Sequence, residues 1–137
     1  MKNLTFILSL SLAFILSSFN SPINDGVLIT YQDGDFVYDF VEEMPSFPGG
    51  DEGLKKYITD HLVYPKKLKK DGIGGKVFVS AIIEKDGEVT HETAYKGINK
   101  KLEYEALRLV QGMPNWIPGK HKGKVVRVKV VIPVEFK

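Results

Sequence analysis

Three histidines, His61, His91 and His121, stand thirty residues apart and are the first candidates for chemistry. Zinc sites draw ligands from one helical turn or one hairpin, yet no His-x-x-x-His pair with a third ligand occurs. His61 falls on an apolar helical stripe, where a buried or half-buried structural histidine is expected. His121 sits in a Gly-Lys loop and is expected in solvent. No serine lies in a Gly-x-Ser-x-Gly elbow. Glu103 and Glu105 stand two apart on a predicted helix, hence on different faces, and do not form a carboxylate pair. The "DGIGG" run at 71–75 has the glycines of a phosphate loop, but it leads into a strand instead of leaving one to open a helix. There is no cysteine, which removes thiolate catalysis, disulfides, Cys-type zinc sites and a lipoprotein anchor. No catalytic set assembles, so the expectation is a binding protein without cofactor or metal.

The elements that carry these residues follow from periodicity. Leu54, Tyr57, Ile58, His61 and Leu62 form one stripe of an amphipathic helix, with Asp51 placed to cap it and Pro65 to stop it. "KKLKKDGIGG" reads as a basic, solvated turn. Val77, Val79, Ala81 and Ile83 alternate along a strand, Asp86-Gly87 turns it, and Glu88 to Tyr95 returns. A second helix presents Leu102, Ala106, Leu109, Val110 and Met113 on one face. Gly112 fits a left-handed helix end, and Pro114 prevents continuation.

The last strand places Val126, Val128, Val130, Ile132, Val134 and Phe136 on one side, with Val125, Arg127, Lys129, Val131, Pro133 and Glu135 on the other. Pro133 has no amide hydrogen to give a ladder, so part of one flank of this strand is expected to be unpaired. The order helix, strand, strand, helix, strand predicts an α+β fold, two helices on one face of a small three-stranded antiparallel sheet.

The first fifty residues divide in two. Residues 1–21 hold one lysine, an uncharged run from Leu4 to Leu16 and then small polar residues, the pattern of a secretory signal. The run is shorter than the ~20 residues that span a bilayer as a helix. A cleaved signal is expected, with an uncleaved anchor as the alternative. In residues 22–50, Val27 to Tyr31 and Phe36 to Val41 flank an Asp-Gly turn signal, which predicts an extended arm or short hairpin. A Pro-Gly-rich linker, Met44 to Gly50, follows it. The domain proper is residues 51–137.

Net charge is +2, which alone argues for no nucleic acid. Its distribution is uneven. Residues 20–60 hold nine acids against two bases, and residues 61–137 hold sixteen bases against eight acids. Such polarity allows an acidic arm to lie on a basic domain, a basic domain to attract an acidic partner, or two merely solvated faces.

Several stretches together resemble one family: "VEEMPSFPGG", Tyr64-Pro65, "GIGGKVFVSAIIEKDGEV", "EALRLVQGMPNWIPGK" and "GKVVRVKVVIPVEF". They look like the C-terminal domain of TonB proteins, the version common in the Bacteroides group, over about Val41 to Lys137. The resemblance implies a periplasmic domain that binds the N-terminal box peptide of outer-membrane TonB-dependent transporters by adding it to the sheet. The contact residues it implies are Lys124, Val125, Val126, Arg127, Val128, Lys129, Val130 and Val131 on the last strand, with Leu62, Val63, Tyr64 and Pro65 ahead of it. Inner-membrane proton-channel proteins are implied as partners if the chain is anchored. Residues 22–50 contain no proline-rich spacer, so a binding module without the motor linkage is expected. The alternative is a non-transducing envelope scaffold, a cell-wall-binding module or a dimer formed through the same edge. Trp116 is expected to pack the helix-to-strand corner, and Arg127 and Lys129 to discourage edge-to-edge aggregation.

Overall fold

The computed structural model describes residues 36–137. The expected leader at 1–21 and the first half of the expected hairpin, Val27 to Tyr31, lie outside them. Nine elements follow in order: β1 (Val37–Tyr38), α1 (Gly50–His61), α2 (Lys66–Lys70), β2 (Gly75–Ile83), β3 (Val89–Tyr95), α3 (Lys100–Gln111), β4 (Lys120–His121), β5 (Lys124–Val125) and β6 (Arg127–Phe136). Three antiparallel strands, β6-β2-β3, form the sheet, and the two residues of β1 extend it beside β6. β2 pairs with β6 along its whole length, from Gly75 opposite Phe136 to Ile83 opposite Val128. The architecture is α+β, as the alternation and the helical stripes require.

Burial follows the period-two pattern. Val77, Val79, Ala81 and Ile83 of β2 and Val128, Ile132, Val134 and Phe136 of β6 are buried on one face. Leu102, Ala106, Leu109 and Val110 of α3 cover them, and Leu68, Phe47 and Trp116 complete the same core. Each such side chain contributes about 1.5–3 kcal/mol through the apolar area it removes from water. Asn99 starts α3 by accepting from the amide of Lys101 at 2.9 Å.

Several local expectations are corrected. Asp51 does not cap α1. The N-cap is Gly49, left-handed at φ 83°, with no side-chain cap bond, and Asp51 lies in the first turn where its charge favours the helix dipole. The basic run at 66–70 is a helix, not a turn, because Leu68 anchors one side of it in the core. Gly112 closes α3 at φ −86°, outside the left-handed region, with its amide bonded to Arg108 O. The last strand does not begin at Val125. Lys124 and Val125 fold back on Lys120 and His121, and β6 opens at Arg127. His61 is exposed, stacked on Tyr57 at 4.3 Å, because the tyrosine takes the inward position. His121 is not free in solvent: its Nδ1 lies 2.8 Å from Glu42 and its ring rests 4.9 Å from Tyr38.

Candidate functional site

The two flanks of β6 differ. The inner flank is filled by β2. On the outer flank, β1 runs parallel, with Val37 opposite Arg127 and Tyr38 opposite Val128, and there the pairing stops. Among the described residues, no strand pairs with the outer flank of Lys129–Phe136. The chain departs at Asp39 and is tied further along by backbone bonds between Glu43 and Lys120 (2.8 and 3.2 Å) and between Ser46 and Ile117 (2.8 and 3.0 Å). Glu42 adds its contact with His121 and accepts from the Lys122 amide at 3.3 Å. The described part of the acidic arm, from Phe36 onward, therefore lies on the basic domain, one of the arrangements the charge distribution allowed.

Beyond Asp39 the open flank faces α1 across a groove of about 740 Å³, within the usual size of ligand clefts. Its lining comes from Lys129, Val130, Val131, Ile132 and Pro133 of β6, from Leu54, Lys55 and Ile58 of α1, and from Phe40, Met44, Pro45 and Trp116. Phe40 is 85% exposed and Val131 48%, and Met44 is also exposed, so three of the large apolar side chains left in water gather at this groove. Contiguous exposed apolar surface of this kind marks interaction sites.

α1 is positioned by its other side. Tyr57 donates to Leu109 O at 3.1 Å and its ring lies 5.5 Å from Phe47, whose own ring stands edge-on to Trp116 at 5.7 Å. Arg108 donates to His61 O at 3.0 Å. Leu54 and Ile58 are half-buried: they pack against the core and also line the groove.

The expected contact residues divide between places. Lys129, Val130 and Val131 line the groove. Arg127 and Val128 lie beside β1, Lys124 and Val125 belong to the β4–β5 hairpin, and the Val126 amide is bonded to Gly119 O at 3.0 Å. Leu62 to Pro65 do not line the groove. Tyr64 reaches the far end of β6, its ring 5.5 Å from Phe136 and its hydroxyl donating to Ile73 O. The Val63 amide donates to Glu105, and Pro65 sits beside Lys100, Lys101 and Tyr104. Glu105, which periodicity left off the apolar face, is 7% exposed. Hydrogen bonds from Arg108, and then from the Val63 amide, hold its carboxyl below the usual range. Sequence reasoning missed the α1 wall and Phe40; the uncapped stripe of Leu54 and Ile58 was its available signal. Trp116 packs the corner as expected, although its indole Nε1 has no acceptor.

Among the described residues, no cluster of three or more His, Cys, Asp or Glu is arranged to hold a metal. None of their helices is long and apolar enough to cross a membrane. A small antiparallel sheet with helices on one face and an edge strand left open defines a β-edge module. The chain belongs to the family described as Gram-negative bacterial TonB protein C-terminal, whose profile matches residues 60–137. It is similar to the solution structure of the Helicobacter pylori TonB C-terminal domain, at 26% identity and TM-score 0.50 over 63% of this chain and 90% of that one. A longer form of the same Helicobacter pylori domain aligns at 27% identity and TM-score 0.41, over 61% and 78%. No curated relative matches.

Proposed function

We propose that this is a periplasmic protein-binding module that engages the N-terminal box peptide of an outer-membrane transporter by adding it as a strand to β6. One observation carries the reading: the outer flank of Lys129–Phe136 is unpaired among the described residues while an apolar groove lies against it. Such a flank presents amide and carbonyl groups to a guest backbone, and side chains of alternate guest residues meet the groove. About five to seven added hydrogen bonds at about 1 kcal/mol net each, less the ordering of the peptide, correspond to micromolar or weaker binding. The docking residues in this reading are Lys129 to Val131 and their continuation toward Glu135. Leu62 to Pro65 contribute at the Phe136 end if the guest extends that far.

The test is an NMR titration of the ¹⁵N-labelled chain with a synthetic ten-residue peptide from the N-terminus of an outer-membrane transporter. Shifts should cluster on residues 129–135 and on Leu54 and Ile58. Shifts confined to α3 and β3, or none at millimolar peptide, would reject the proposal. The scaffold and cell-wall readings predict instead retention on isolated cell wall with β6 unperturbed.

A further inference from the structure

The β4–β5 hairpin carries an unexpected residue in its turn. Lys120 pairs with Val125 and His121 with Lys124, which leaves Lys122 and Gly123 as the two loop residues, at φ 50° and 74°. A two-residue hairpin with both φ positive favours Asn-Gly, because glycine and short polar side chains enter the left-handed region most readily. Lysine stands there instead. Lys122 lines a pocket of about 310 Å³ together with Lys124 of the same hairpin and Lys85 of the β2–β3 turn; Tyr38 of β1 and His121 add to the lining. No carboxylate is among the lining residues, and none of them belongs to the groove beside α1. Among the described residues, none of the three lysines has an ion-pair partner. The carboxylates that reach this hairpin are engaged elsewhere on it: Glu42 lies 2.8 Å from His121 Nδ1 and accepts from the Lys122 amide at 3.3 Å, and Glu43 lies 4.0 Å from Lys120 Nζ.

We propose that this pocket is an anion site that takes a doubly charged phosphate group. Three ammonium groups around one small cavity repel each other, and a chain with seventeen acids places none of them in its lining. In a cleft whose charges share one sign the fields add, and the local concentration of counter-ions rises. A carboxylate monoanion leaves most of that charge unanswered. A phosphate dianion answers more of it and offers several acceptor oxygens to the same donors. The volume is at the lower end of ligand clefts, enough for a phosphate group with a small substituent. The donors are held in place from several sides. Glu42 ties the hairpin backbone at Lys122, the Tyr38 ring rests 4.9 Å from that of His121, and buried Val126 is bonded through its amide to Gly119 O. An asparagine at position 122 suits the turn better than lysine does, so the lysine answers to something other than folding. A phosphate group on a free molecule and one on a lipid headgroup meet the same donors.

The experiment titrates inorganic phosphate into the ¹⁵N-labelled full chain at about pH 8, where phosphate is doubly charged, with acetate as the monoanion control at equal ionic strength. Phosphate should shift Lys85 and residues 121–126 saturably in the millimolar range, and bind at least about five-fold more tightly than acetate. The four lysines of α2, on an ordinary helix surface, are the internal control and should not saturate. Lys122→Asn should hold or raise the urea midpoint, since it suits the turn, yet weaken phosphate binding at least about three-fold. Lys85→Gln/Lys124→Gln should weaken it further. Pelleting with phosphatidylcholine vesicles, with and without phosphatidic acid, separates the two sources. Pelleting that needs phosphatidic acid and falls in Lys122→Asn assigns a lipid headgroup; saturable phosphate binding without pelleting assigns a free phosphorylated molecule. The site is overturned by the absence of saturable shifts, by equal responses to phosphate and acetate, by equal affinity at α2, or by unchanged binding in Lys122→Asn; the three lysines are then solvated charge.

Discussion

Val37 lies beside Arg127 in a parallel pairing that ends one residue later, at Tyr38 and Val128. Beyond it β6 has, among the described residues, one partner, β2, and each residue of an antiparallel strand sends its amide to one flank only. Amides along Lys129–Phe136 should therefore alternate between slow and fast hydrogen exchange, Pro133 having none. The protected set should match the residues bonded to β2, with at least about a hundred-fold contrast between neighbours. Uniform protection along the strand would mean that the outer flank is covered.

Phe47 joins the walls of the groove to the core. It is buried, with Tyr57 of α1 on one side and Trp116 on the other. Phe47→Ala should cost about 3–5 kcal/mol in urea unfolding, the usual range for a buried aromatic. It should also raise exchange across α1, which buries no residue of its own, before it affects β2.

Two carboxylates set the acid limit of the fold. Glu84 receives Arg127 Nε at 2.7 Å and Nη2 at 2.9 Å, with Thr90 Oγ1 at 2.6 Å; these hydrogen bonds, Arg127's first, hold its carboxyl below the ordinary value. Glu105 is held down in the same direction, by Arg108 first. Groups with lowered folded values contribute fully above the ordinary carboxylate pKa of 4.5 and lose that contribution as pH falls through the lowered one. Stability should be flat near neutral pH and decline as pH falls below about 4.5. A Glu84→Gln/Glu105→Gln chain should be less stable at neutral pH and show a shallower decline, read from urea midpoints.

The β2–β3 hairpin and α3 were legible because their patterns are local: alternation from Val77 to Ile83, and the stripe from Leu102 to Val110. So was the open flank, from Pro133 and the alternating strand. The rest depended on distant pairings. β1 rests on two residues whose partners lie ninety positions away, which no local period records. The bend at Val126 takes Lys124 and Val125 away from β6, because Val126 bonds to Gly119. His61 shares a stripe with Tyr57, and only the tyrosine's bond to Leu109 O decides which of them turns inward. The groove was invisible for the same reason: a stripe predicts that α1 packs, not that it shares a cleft with Lys129–Pro133 of β6.

Gly87 and Gly72 both hold positive φ, 89° and 67°, but differ in surroundings. A Cβ on Gly87 would overlap the carbonyl oxygen of Trp116, whose amide donates to Gly87 O at 2.7 Å; a Cβ on Gly72 meets nothing. Gly72→Ala should cost about 1 kcal/mol, the backbone penalty alone. Gly87→Ala should cost at least about 3 kcal/mol, because backbone must move to relieve the overlap. Equal urea midpoints for the two variants would refute the Trp116 contact.

Edge strands with unpaired amides and an apolar residue such as Val131 invite sheet-to-sheet association unless charge or cover intervenes. Lys129 supplies charge at one position, while the arm and α1 supply cover along the groove. A chain that begins at Leu62 keeps β2, β3, α3 and β6 but loses both walls and the β1 pairing. Its β6 then presents ten residues flush with solvent. Sedimentation equilibrium should show the chain from Phe36 onward at monomer mass up to about 0.1 mM, and the shorter chain associating at concentrations about ten-fold lower. Restoring one wall by adding α1 back, from Gly49, should reverse most of the association, because one helix beside the edge is enough to keep two sheets apart. If both chains stay monomeric, Lys129 protects the edge by charge, and raising the salt should then make the shorter chain associate.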